Sequence, residues 1–284
     1  MIGVAFDGLA YGSLLFLVSL GLSVQMGLMN FVNLAHGAFA MAGGFVCVVA
    51  MNRFGVPFLA ALPLAFAAAA LAGAVLERLL YRRLYGASHL DQVLFSIGLT
   101  FMSIAAATWA FGASQQPVHL PAFLRGQVRI GGVDFGAYRI FLVAVVAVLT
   151  AALAALLRGT RFGAQVRAAV DDARVARGLG IDVDRVFSLT FALGSGLAGL
   201  GGALGIDVLG LDPSFPLRFM VYFLLVVVVG GAGTLLGPLL AAIVLGVSDV
   251  AAKYYWPELG AFAIYAVMVV LLLAFPAGLL GKRP

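Results

Sequence analysis

Residues 27–45 read GLMNFVNLAHGAFAMAGGF, and they set Asn30, Asn33 and His36 inside a stretch that is otherwise apolar and glycine-rich. Backbone that leaves the helix at membrane depth survives only where protein or a water-filled path satisfies its polar groups. The stretch therefore predicts a broken or re-entrant segment near 27–37. Asn33 is expected to cap a helix starting at Leu34, with Gly37 and Gly43 admitting a close neighbour. Gln25, Asn30, Asn33 and His36 are together the candidates for a neutral, polar translocation path.

The rest of the chain makes membrane depth the right setting. Of 284 residues 63% are hydrophobic and only 10% charged, against roughly 25% charged in soluble domains, and the mean hydropathy is +1.12. This composition is that of an integral membrane protein. Many of its 36 glycines fall inside apolar runs, where small residues let helices approach closely. The first apolar run is preceded by no Lys or Arg and contains Asp7, so it reads as a retained span rather than a signal peptide. Cys47 is the single cysteine, which rules out a disulfide within the chain and a cysteine-based metal cluster. No His, Asp or Glu set with ligand spacing implies a metal either. The net charge of +5 sits on basic residues placed between apolar runs, as orientation in a bilayer requires, so nucleic acid is not a partner.

A window of about 20 residues finds apolar segments at 8–29, 34–51, 57–77, 92–112, 139–157, 186–206, 218–232, 236–252 and 260–279. The expected fold is an all-α polytopic bundle of about eight to nine transmembrane helices, forming a single transmembrane domain over 1–284, with a second ambiguous break at 230–238. Arg78, Arg82 and Arg83, the six arginines between 158 and 185, and Lys282 and Arg283 fall on one side. Fewer basic residues fall on the other, so the first side is cytoplasmic by the positive-inside rule. Nine crossings put the N-terminus outside.

Two loops are long: an external one at 112–138 and a cytoplasmic one at 158–185. The cytoplasmic loop reads as an amphipathic helix from about Ala164 to Arg177, with Val166, Val170 and Ala173 on one face. Arg167, Asp171 and Arg174 are spaced to pair along it. Gly178 and Gly180 stop it, and Asp182 or Asp184 caps the next span. Asp172 has no oppositely charged residue at i±3 or i±4, and Arg177 stands in the last turn. On the next span, Ser195, Gly199, Gly201, Gly202 and Gly205 form small-xxx-small spacings that predict close helix packing.

Three stretches, VNLAHGAFAMAGGF (32–45), GTRFGAQVRAAVDDARVARGLGIDVDRVFSLTFALGSGLAGLGGAL (159–204) and VVVVGGAGTLLGPLLAAIVLG (226–246), resemble the permease subunit of branched-chain amino acid (LIV-type) ABC importers. They occur in the family's order, and the resemblance covers essentially the whole chain. It implies that the loop at 158–185 contains the coupling helix, with Arg167, Asp171, Asp172, Arg174, Arg177, Gly178 and Gly180 facing an ATPase. It also implies a second permease subunit, two ATPase subunits carrying ATP and Mg, an extracytoplasmic substrate-binding protein, and the bacterial inner membrane. The external loop, with Gln115, Gln116, His119, Arg125 and Arg129, is a docking surface for that binding protein or an ordinary interfacial loop.

The residues agree with such a division of labour. No G-x-x-x-x-G-K-[ST] phosphate loop occurs, and the only lysines are Lys253 and Lys282. No cofactor is therefore expected on this chain. The alternative, a secondary carrier or channel, calls for an ionisable group at mid-membrane; Asp249 is the closest, and Lys253 at i+4 offers it an interfacial partner. An intramembrane protease is excluded, because in LGSG (193–196) Leu193 stands where glycine is needed. A path without fixed charge suits a zwitterion or small amide, leaving urea, amides and aromatic acids as other cargo classes.

Overall fold

The computed structural model describes residues 1–29, 31–231 and 233–280. Asn30 lies outside the described residues, as do Lys282 and Arg283 with the part of the orientation reading that rests on them. Among the described residues eleven α-helices follow in order: α1 Ile2–Met29, α2 His36–Phe54, α3 Phe58–Leu79, α4 His89–Phe111, α5 Ala137–Gly159, α6 Arg161–Asp171, α7 Ala173–Gly178, α8 Val183–Leu209, α9 Phe215–Gly230, α10 Leu236–Tyr255 and α11 Gly260–Ala274. Seven of them (α1 to α5, α8 and α10) are long and apolar enough to cross a membrane. At 16 and 15 residues, α9 and α11 are shorter than the roughly 20 residues a crossing takes. The expected eight or nine spans thus resolve, among the described residues, into seven long helices and two short ones.

The most enclosed helix is α8, which packs against α1, α2 and α3. The small residues read from the sequence serve three neighbours rather than one. A Cβ on Ser195's neighbour Gly73 of α3 would strike the Ser195 side chain, one on Gly202 would strike the Ala40 carbonyl of α2, and one on Gly201 would meet Val18 of α1. Gly199 meets the backbone of Gly43 on α2 and Ala69 of α3. At 3.6 residues per turn, positions 199 and 201 point to opposite sides of a helix, so these close approaches wrap around α8. Gly205 is the exception: a Cβ there would meet only Leu209 of its own helix.

The break near residue 30 has a definite shape. The helix starts at His36 rather than Leu34, and the His36 ring nitrogen Nε2 lies 2.8 Å from the carbonyl oxygen of Val18. Val18 precedes the end of α1 by eleven residues, about 16 Å along a helix. The connecting segment therefore doubles back, and α2 begins alongside the interior of α1. The start of α9 meets it there, with Pro216 against Gly37. At the second break, α9 ends at Gly230 and α10 starts at Leu236, and the connector docks on α1: Gly233 N–H donates to the Ser23 carbonyl at 3.0 Å, and Ser23 Oγ donates to the Thr234 carbonyl at 3.3 Å. Positive φ at Gly231 and Gly233 makes this turn possible.

Ion pairs gather the connectors onto two faces. Arg82, after α3, and Arg177, at the end of α7, both pair with Asp184 in the first turn of α8. At the other ends of these helices Arg139 pairs with Asp7, Asn52 Nδ2 donates to the Pro117 carbonyl, and Gln116 N–H donates to the Leu211 carbonyl. The 80–88 and 160–182 connectors thus share a face, opposite the start of α1 and the 112–136 connector. The 112–136 connector folds into a hairpin, β1 Gln127–Ile130 and β2 Val133–Gly136. Its two-residue turn is Gly131–Gly132, both at positive φ, the pairing that suits strand twist. Arg129 clasps Asp134 through two nitrogens at 2.8 and 2.9 Å and holds its carboxyl below the ordinary range.

Candidate functional site: the broken segment and the charged knob

Three of the four residues expected on a path meet at the break. Asn33 Nδ2 donates to Gln25 Oε1 at 3.3 Å, while Asn33 Oδ1 accepts from the Ala35 N–H at 3.1 Å and from the Tyr81 hydroxyl at 2.9 Å. Asn33 thereby satisfies the turn that precedes α2, in place of capping the helix itself. Gln25, Asn33, His36 and Tyr81 are all buried, at 1% exposure or less. Gln25, Asn33 and Tyr81 are linked side chain to side chain among α1, the break and the 3-10 turn Tyr81–Leu84, while the His36 ring turns to the Val18 carbonyl. Among the described residues, Gln25 Nε2 and His36 Nδ1 have no hydrogen-bond partner. Burial raises the Tyr81 hydroxyl above its ordinary titration range, so it stays a donor.

Tyr81 carries no motif and sits in a basic connector, so its role is invisible to hydropathy or spacing. The 3-10 turn that presents it also presents Arg82 to Asp184. One turn earlier, Glu77 is fully buried in the last turn of α3, accepting hydrogen bonds from Tyr85 at 2.7 Å and Ser188 at 2.5 Å. A lone acidic residue closing an apolar run was the available signal, since burying a carboxylate demands dedicated partners. Phe31, Tyr81, Tyr85 and Phe187 pack edge-on around this corner.

Asp249 is the other buried acid. Lys253 Nζ reaches its Oδ2 at 2.6 Å, the i,i+4 pair expected from spacing, near the end of α10.

On the same face as Glu77 the 160–182 connector forms a compact knob. One continuous helix from 164 to 177 is the sequence expectation, and the structure divides it: α6 runs Arg161–Asp171 and α7 runs Ala173–Gly178. Asp172 is the divider. Its backbone is extended, and its Oδ1 accepts from the N–H groups of Arg174 at 2.8 Å and Val175 at 3.0 Å. Asp172 is therefore partnered as an N-cap, which the i±3/i±4 survey of charged side chains does not detect. Thr160 caps α6 by accepting from Gly163 N–H, and a Cβ at Gly163 would collide with Leu157, so glycine allows the sharp α5–α6 corner. Arg167 bonds the Leu157 carbonyl, and Arg177 pairs with Asp184 at 3.0 Å. Gly178 ends α7 and Gly180 takes φ +83°. Asp182 caps α8, accepting from Arg185 N–H at 3.0 Å.

Residues 4–272 match the family described as the permease component of the branched-chain amino acid transport system. The chain belongs to this family. Among its permease relatives, it is 27% identical to the high-affinity branched-chain amino acid transport system permease protein LivH of Salmonella typhimurium, over 98% of this chain and 94% of that one. It is 26% identical to the corresponding protein BraD of Pseudomonas aeruginosa, over 97% and 94%. A probable branched-chain amino acid transport permease protein LivH of Methanocaldococcus jannaschii is 26% identical, over 95% and 90%. No solved structure matches. As a family member with seven long apolar helices, the chain is a multi-pass membrane transport permease.

Proposed function

We propose that this chain is one permease subunit of an ATP-driven importer of branched-chain amino acids in a bacterial inner membrane. It pairs with a second permease subunit, homologous or identical, to form the translocation path. Gln25, Asn33 and His36 hold the broken segment that borders this path. ATP and Mg reside on two separate ATPase subunits, which grip the α6–α7 knob. A soluble binding protein delivers substrate to the opposite face. The family match over residues 4–272 carries the reading, and the amino acid class follows the names of the relatives. The knob supports it physically: a short, capped helix pair tied by Arg177 to the first turn of the central helix is a place where a push from a partner enters the bundle.

Purification of the tagged chain in mild detergent, followed by reconstitution, tests the proposal. The expected outcome is copurification with ATPase subunits, and leucine uptake that requires ATP and a binding protein. Uptake by the chain alone, driven by an ion gradient, would overturn it in favour of a secondary carrier.

A further inference from the structure

On the face opposite the knob, the 3-10 turn Ala122–Leu124, the ends of the hairpin and the start of α5 border an open cavity of about 370 Å³ against the end of α8, with Arg125, Asp207 and Val208 exposed on its lining. That volume is within the range of small-molecule sites, about 300–1,000 Å³. Its lining is of two kinds. Leu120, Leu124 and Val208 supply an aliphatic wall, whereas Arg125, Arg139 and Asp207 supply charge of both signs.

The charged residues differ in how they are engaged. Arg139 is already paired with Asp7. Arg125 and Asp207 line the same cavity, yet among the described residues neither side chain enters an ion pair or a hydrogen bond. They are of opposite sign and farther apart than the 4.0 Å of an ion pair, which leaves room for a charged group on each. Asp207 is also misplaced for helix stability. It stands in the last turn of α8, where the aligned peptide dipoles disfavour an anion. The cavity shares its rim with the external connector and lies on the side from which substrate arrives.

We propose that this cavity is a substrate-binding vestibule for a zwitterionic α-amino acid with an aliphatic side chain. Arg125 receives the α-carboxylate, Asp207 receives the α-ammonium group, and Leu120, Leu124 and Val208 receive the side chain. The proposal deepens the importer reading above and rests on it. The aliphatic wall offers a charged side chain no partner, and a purely anionic solute leaves Asp207 without one.

The test measures direct binding of L-leucine to the detergent-solubilised permease–ATPase complex without binding protein, and leucine uptake with it. 4-Methylpentanoate, which lacks the ammonium group, and 3-methylbutylamine, which lacks the carboxylate, serve as competitors. Loss of one charge-assisted contact is expected to weaken leucine binding roughly 10-fold or more. Asp207→Asn should do so while leaving competition by 4-methylpentanoate unchanged. Arg125→Gln should do so while leaving competition by 3-methylbutylamine unchanged, and Asp207→Glu should restore part of the leucine affinity. Wild-type leucine binding in both variants, no saturable binding to the wild-type complex, or a loss confined to capture of the binding protein would each overturn the vestibule. If the wild-type complex imports no branched-chain amino acid at all, the importer reading itself fails, a result distinct from these.

Discussion

The guanidinium of Arg177, at the end of α7, lies 3.0 Å from one carboxylate oxygen of Asp184 in the first turn of α8, and Arg82 takes the other oxygen. One carboxylate thus ties the knob, the central helix and the 3-10 turn that carries Tyr81. All three side chains are roughly half exposed, at 43 to 55%, and such pairs contribute only about 0–1 kcal/mol. The tie is weak enough to break and re-form during a cycle. Asp184→Asn is accordingly predicted to leave yield and thermal stability near wild type, yet to lower the leucine imported per ATP hydrolysed several-fold. Reconstituted vesicles measured for uptake and hydrolysis together check this; an unchanged ratio would dissociate Asp184 from coupling.

Asp172 separates two readings of the knob. If its carboxylate acts as an N-cap, Asp172→Ala destabilises α7 by about 1 kcal/mol, whereas Asp172→Asn and Asp172→Ser retain the cap. Hydrogen exchange at the amides of Arg174 and Val175 should accelerate in the Ala variant alone, with coupling lost in parallel. Equal loss of coupling in Ala and Asn variants would show that the charge, rather than the cap, is required.

At the break, Tyr81→Phe removes a buried donor from Asn33 and is expected to cost about 1–3 kcal/mol. Asn33→Leu removes the partners of Gln25, Tyr81 and the Ala35 N–H at once and should cost more. Thermal denaturation of the purified complex gives the order. An Asn33→Leu complex as stable as wild type with lowered uptake would mean that Asn33 serves the path and not the break.

Helix packing makes a graded prediction. Gly202→Ala places a methyl group against the Ala40 backbone, and Gly43→Ala places one against the Gly199 backbone; such overpacking costs about 1–3 kcal/mol. Gly205→Ala meets only the flexible end of Leu209 at 3.0 Å and should be tolerated. Expression yield and monodispersity of the three variants test the assignment, which fails if Gly205→Ala is the most damaging.

The membrane class, the approximate spans, the break near residue 30 and the existence of a charged helical knob after α5 were legible in the sequence, because each rests on local composition: hydropathy over a window, glycine and asparagine within it, arginine between runs. The family motifs were local too. What the chain alone left open depends on residues that packing brings together over long separations. Tyr81 reaches Asn33 across 48 positions and Arg82 reaches Asp184 across 102, and no periodicity encodes either pair. Asp172 appeared unpartnered because its partners are backbone N–H groups, which exist only once α7 has formed. Likewise Arg125 and Asp207 carry nothing in their neighbours that relates them. They share a cavity only because the 112–136 connector passes beside the end of α8, and which helix ends become neighbours is decided by the close approaches around α8 rather than by any single stretch of sequence.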